Sequence, residues 1–314
     1  MRRLWGPVLL GLGVFLLVTA GMLRFFVTDR LLVTPIDQYA QTVAPGPGTY
    51  FDAGALQERS GDLVARRTLK ADVAASNDRT AVWDVSVVLE TGDGTFVRAT
   101  IDRVATDRKT AEAVNCCGEA VDSQPVRHAG VSYKFPFGTE KRDYQLWDPN
   151  SAKAYPAKYV SEEKVQGLTT YKFIQTIPGF QLRTQDVPGT LVGESTPTFT
   201  APVWYTNTRT VWVEPDTGVI VKGNEQNRTT LRNSVGEDRV VVVQFDLTFD
   251  DATQRNQANL ARDGISQIRL VTIWLPLICL VLGVILVAAG AIVIRAADRS
   301  RPASPEPQPE PVDA

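Results

Sequence analysis

The chain has 314 residues, with 33 Lys and Arg against 35 Asp and Glu and a formal net charge of −2. That balance carries no basic excess for nucleic acid, so no nucleic-acid partner is expected. One histidine, His128, and three cysteines fall short of a structural zinc site, because Cys279 sits in an uncharged apolar run away from the other two.

Residues 1–27 read as an N-terminal transmembrane anchor. From Leu4 to Leu23 the sequence is almost uncharged and about 20 residues long, the length that crosses the hydrocarbon of a bilayer as a helix. The apolar character resumes at Phe25 and Phe26 after Arg24, which fits a retained anchor better than a cleaved signal peptide with its shorter core.

Residues 28–250 are expected to form a β-rich domain. In AVWDVSVVLETGDG, Ala81, Trp83, Val85, Val87 and Leu89 share one face, with Asp84, Ser86 and Glu90 on the other. In VVVVQFDLTFD, Val241, Val243, Phe245, Leu247 and Phe249 alternate in the same way with polar residues. Such alternation belongs to antiparallel strands with one buried face. Further strands are expected over 63–71, 96–104, 131–137, 168–177 and 198–205. In TVWVEPDTGVIVKG, Pro215, Asp216 and Gly218 mark a hairpin turn. LWDPNSAKAY has a related Trp-acid-Pro pattern at Trp147 to Pro149, a weak internal repeat.

The stretch NCCGE places Cys116 beside Cys117. In an oxidising compartment they pair with each other or with another molecule, since Cys279 is out of reach. Adjacent α-carbons are closer than the usual disulfide span, so a bond between them needs a tight turn, which Gly118 favours. The vicinal disulfide comes first among the readings; free buried thiols, an intermolecular bond and a redox role stay open. A nucleophilic dyad of His128 with a cysteine is the chemical reading of the same residues, and a structural histidine is the plainer one.

Residues 251–269 read as a juxtamembrane helix capped by Asp250 or Asp251, with Gly264 as a weak point or hinge. Residues 270–294 are the second transmembrane helix. From Leu270 to Ile294 there is no charge, Pro276 falls near the start, and Trp274 takes the place of an interfacial aromatic. Residues 295–314, rich in proline and acid, read as a disordered cytoplasmic tail. Arg2 and Arg3 before the first helix and Arg295, Arg299 and Arg301 after the second put both termini in the cytoplasm of a plasma-membrane protein, with the main domain outside. The fold class is therefore mainly β, an antiparallel curved sheet or sandwich, as an extracytoplasmic domain between two transmembrane α-helices.

The run HAGVSYKFPFGTEKRDYQLWDP from His128 to Pro149 resembles an actinobacterial membrane-protein family of unknown function that is sometimes labelled the PorA porin family. NCCGE, VQGLTTYKFIQTIP and VWVEPDTGVIVKG look like its other signatures, in the same order, so the resemblance runs from one anchor to the other. It implies a two-anchored protein of a lipid-rich bacterial envelope and brings no catalytic residues with it. The VWVEPDTGVIVK hairpin also resembles those of periplasmic lipoprotein carriers, which hold acyl chains on a curved sheet.

In VSYKFPFG and TTYKFIQ, Tyr133, Phe135, Phe137, Tyr171 and Phe173 share faces with strand character, and Trp83 and Trp212 lie on other strands. These aromatics fill an ordinary core or line a groove for a lipid, whose headgroup would meet Lys134, Lys141 and Arg142. The expected function is thus a non-enzymatic envelope protein that binds, shields or transfers a lipid. A structural or signalling module that docks an envelope partner is the alternative. A membrane β-barrel needs an apolar outer band and a closed circuit of strands, so pore formation ranks lower here, with a carboxylate or cysteine enzyme. The membrane, crossed by two spans, is the expected partner, and no motif asks for a cofactor.

Overall fold

The computed structural model describes residues 2–27 and 32–299. The expected disordered tail lies, from residue 300 onward, outside the described residues; 295–299 continue a helix. The chain divides into two compact units, one of residues 1–32 with 266–314 and the other of residues 33–265.

In the first unit, α1 (Arg2–Met22) ends in a π-helical turn, Leu23–Val27, and α3 (Leu275–Arg299) follows another, Leu270–Trp274. Both helices are long and apolar enough to cross a membrane. They pack antiparallel through glycines. A β-carbon on Gly13 would meet the Val287 backbone nitrogen at 2.7 Å, and one on Gly290 the Leu10 nitrogen at 2.8 Å. Small residues are what allow such backbone approach where burial in lipid offers no hydrophobic gain. Pro276 lies just past the second π turn, where its missing N–H and bulky ring disturb the regular i→i−4 ladder.

The second unit is a 12-stranded antiparallel sheet curved into a half-barrel. Six strands form its first meander: β1 (Tyr39–Asp52), β2 (Gln57–Ala71), β3 (Thr80–Thr91), β4 (Phe96–Asp107), β5 (Ala120–Val121) and β6 (Gln124–Pro125). Six form the second: β7 (Tyr144–Asp148), β8 (Lys153–Val165), β9 (Leu168–Pro188), β10 (Thr198–Val213), β11 (Ile220–Arg232) and β12 (Asp238–Thr248). The order β6-β5-β4-β3-β2-β1-β12-β11-β10-β9-β8-β7 makes every neighbour but one consecutive in sequence, and β1 joins β12 to weld the two halves. Bulges at Leu89/Glu90, Tyr159/Ser161, Val203/Trp204 and Trp212/Val213 supply bends where strands this long must curve. At one level, single bridges run from Thr106 to Ala113, Glu112 to Val131 and Val131 to Leu146, tying β4 back to β7.

Two elements depart from the sequence reading. Residues 131–137 are a loop rather than a strand. Gly130 and Gly138 both have positive φ, Pro136 removes a donor, and the segment instead spends its bonds singly, as from Phe135 N to Gly218 O at 2.9 Å. Conversely β1 carries Pro45, Gly46, Pro47 and Gly48, a poor strand signature. The glycines are required by the weld: a β-carbon on Gly46 would overlap the Asp246 carbonyl, and one on Gly48 the Leu63 side chain.

The helix α2 (Asp251–Arg269) is capped by Asp250, whose Oδ1 accepts from Thr253 N at 2.7 Å. Ala258 and Ala261 bury against Trp212 and Val221, on the sheet face opposite to Val211 and Ile220. Helical backbone runs on through Gly264, where a β-carbon would lie 2.8 Å from Thr217 Cγ2, so glycine there makes room for the β10–β11 turn.

Candidate functional site: an apolar groove with buried arginines

Strand pairing sets the concave face. Leu247, Glu225, Arg209, Gln175 and Ala157 stand opposite one another across β12, β11, β10, β9 and β8. On the other half, Arg67 of β2 faces Val87 of β3, and Leu89 faces Arg98 of β4. Between the halves lies a partly open groove of about 140 Å³, walled by Ala44, Ala65, Val87, Leu89, Phe245 and Leu247 together with Tyr133, Val211 and Phe249. Engineered apolar cavities of about 150 Å³ take up benzene, and sites for whole drug-sized ligands run from about 300 Å³. The groove thus matches a slim apolar segment.

Charge enters this apolar face at four positions: Arg67, Arg98, Arg209 and Glu225. Arg209 is fully engaged. Its Nη2 donates to Glu225 Oε1 at 3.2 Å and Asp148 Oδ1 at 3.3 Å, and its Nη1 to Trp147 O at 3.1 Å. Asn207 donates to Glu225 Oε1 at 2.8 Å, and Tyr205 OH to the wholly buried Asp148 at 3.0 Å. Desolvation pulls the Arg209 pKa down, but the attraction of Glu225 and Asp148 outweighs it and raises the net value. Desolvation likewise pushes Glu225 up, while Arg209 and the Asn207 hydrogen bond bring it below the ordinary carboxylate range. Burial and Asp148 raise the Tyr205 phenol well above its ordinary value.

Arg67 and Arg98 are different. Arg67 lies over the rings of Tyr133, at 5.6 Å, and Phe249, at 5.7 Å. Neither Arg67 nor Arg98 has an ion pair or hydrogen bond among the described residues, and both are half-buried. Burial pulls the Arg67 pKa below its ordinary value.

A second polar cluster backs the groove. Asp102, buried in β4, receives Tyr133 OH on Oδ2 at 2.6 Å and pairs with His128 Nε2 on Oδ1 at 2.7 Å. The His128 ring packs against Trp147 with centroids 4.3 Å apart, and its Nδ1 has no hydrogen-bond partner among the described residues. Burial, then Asp102, raises the Tyr133 pKa well above its ordinary value. The His128–cysteine dyad does not form, because the imidazole is turned onto Asp102 and the cysteines are bonded to each other. Cys116 and Cys117 make a vicinal disulfide on a turn with φ of 69° at Cys117 and 78° at Gly118, with Arg103 Nε donating to Cys117 O at 3.1 Å.

The aromatic positions picked from sequence fall in different places. Tyr133 lines the groove. Phe135 and Phe173 are fully buried and stacked at 5.0 Å, with Tyr144 edge-on to both, at the centre of the largest core cluster. Tyr171 packs half-buried on that cluster, Trp83 belongs to a separate core cluster with Val85 and Val104, and Trp212 faces α2. Phe137 lies beneath Lys134, whose Nζ is 3.7 Å from the ring centroid and donates to Phe135 O at 3.0 Å. Burial, opposed by Glu214, lowers the Lys134 pKa to about 7. Lys141 pairs with Glu162 and Arg142 with Glu140, both on the surface. The four groove charges escaped the sequence reading, yet Arg67 left a trace: it shares the strand phase of Leu63, Ala65, Leu69 and Ala71.

A family model described as Porin PorA matches residues 5–292. A protein of Corynebacterium resistens named Porin PorA is 26% identical, over 93% of this chain and 97% of the relative. Another of Corynebacterium amycolatum, also named Porin PorA, is 26% identical, over 72% of this chain and 77% of the relative.

Proposed function

Because the chain belongs to the Porin PorA family, matched across both apolar helices and the β domain, we propose that it is a non-enzymatic envelope protein whose β domain takes an apolar ligand, a lipid chain, into its concave groove. The observation that carries this reading is the groove itself, an apolar wall inside a curved sheet. Close packing is the rule in protein interiors, and unfilled apolar space is where apolar ligands enter. The flanking arginines support termini in the cytoplasm and the β domain outside the plasma membrane.

The full chain, affinity-purified and extracted with organic solvent, should release lipid in reproducible stoichiometry, and a variant with the groove filled by Ala65→Trp should not. Equal lipid from both proteins would count against the groove.

A second reading rests on the family's name and that of both relatives: a conducting pore. The sheet of one copy is an open half-barrel in which β5 and β6 are two residues each, so a conduit would need more than these strands. Discrete conductance steps from the purified chain in a planar bilayer, abolished by Ala65→Trp, would favour the pore.

A further inference from the structure

We propose that the groove selects an anionic single-chain amphiphile, with Arg67 and Arg98 holding its carboxylate or phosphate head and the apolar wall holding its chain. This rests on the groove being an apolar-ligand site, and adds the charge of what it takes. Three guanidinium groups and one carboxylate line the space. Arg209 is shared between Glu225 and Asp148, and Glu225 also attracts Arg67 and Arg98, so the three guanidinium groups exceed the two carboxylates by one charge, and Arg67 and Arg98 are the two with no hydrogen-bonded anion among the described residues.

Both sit half-buried and line the groove, Arg67 on the apolar phase of β2 and Arg98 beside Thr100 on β4, and the rings of Tyr133 and Phe249 supply Arg67 with faces rather than oxygens. A half-buried guanidinium with no hydrogen-bonded anion is costly, and the planar fork of arginine fits carboxylate and phosphate oxygens in pairs. In register, Arg67 and Arg98 are two strands and one diagonal step apart, about 12 Å between α-carbons at ordinary sheet spacings. Two long side chains on one face can converge across that distance on a single head. The groove's size admits a segment of one chain and leaves no room for the two chains of a phospholipid.

The test is photolabelling of the full chain in nanodiscs of neutral lipid, using hexadecanoic acid with a mid-chain diazirine and the matching hexadecanol. The acid should label peptides around Val87–Leu89 and Phe245–Leu247. Labelling should fall at least about tenfold in Arg67→Gln/Arg98→Gln, as loss of charge-assisted hydrogen bonds predicts. It should fall less in Arg67→Lys/Arg98→Lys, which keeps the charge. Hexadecanol should label wild type and the glutamine variant alike, which also shows that the variant is folded. Hexadecyl phosphate should compete with the acid, whereas inorganic phosphate and acetate at the same concentration should not. Equal labelling by acid and alcohol would leave an apolar groove and overturn the charge selectivity. Displacement by inorganic phosphate would assign the arginines to a free anion and overturn it too. Groove peptides untouched by either probe would overturn the lipid-chain reading beneath it.

Discussion

Replacing Arg209 with leucine removes the one cation that Asp148 and Glu225 share. Asp148 is wholly buried, and Tyr205 and Ser151 would remain as its donors; Glu225 would keep Asn207. Breaking a buried ion pair from one side typically costs about 3–5 kcal/mol, because the surviving charge stays desolvated. For a unit of this size that is roughly 6–20 °C in melting temperature. The pH dependence carries a second signature. In the wild type Glu225 is held below its unfolded pKa, so its contribution is present at neutral pH and is lost as acid titrates it through the folded value. Without Arg209, desolvation dominates at Glu225, its carboxylate moves above its unfolded value, and stability should rise as pH falls from about 7 toward 5. Thermal unfolding of the full chain in detergent, followed by circular dichroism across that range, reads both. A loss under about 1 kcal/mol, or an acid response parallel to wild type, would refute the buried-network account.

Lys134→Met should flatten the alkaline response. The folded lysine titrates near 7 and the unfolded one near its ordinary value, so wild-type stability should climb by about 1 kcal/mol per pH unit above pH 7, a slope the variant loses in the same melts. Gly46→Ala should cost several kcal/mol, roughly 2–4, by driving a methyl group into the Asp246 carbonyl, whereas Gly61→Ala, with open space around it, should stay within about 0.5 kcal/mol in denaturant titrations. Gly13→Val should lower the melting temperature in detergent by separating α1 from α3, and Gly11→Val, which faces no neighbour, should leave it unchanged. Alkylation under native conditions should miss Cys116 and Cys117 until reductant is added; labelling of both beforehand would contradict the disulfide.

Alternation of buried and exposed residues made β3, β10 and β12 legible, and uncharged length made the two apolar helices so. What stayed hidden depended on partners distant in sequence. β1 reads as a proline-glycine loop until Gly46 and Gly48 meet β12 about 200 residues later. The 131–137 segment has a strand's alternation but is bracketed by positive-φ glycines and inserted against β7 and the β10–β11 turn. For the site, aromatics drew attention because they are conspicuous, yet Phe135 and Phe173 fill the core while small residues such as Ala44 and Ala65 leave the space. Arg209 and Glu225 became a pair only through β10–β11 register. A charged residue in the apolar phase of a strand, as at Arg67, is the signal that periodicity offers and that composition conceals.

Native mass spectrometry of the full chain released from nanodiscs tests the central claim most directly. The wild type should retain one amphiphile that the Ala65→Trp protein lacks, with the same membrane lipids otherwise bound to both. Identical adducts on the two proteins, or none on either, would contradict a ligand-holding groove.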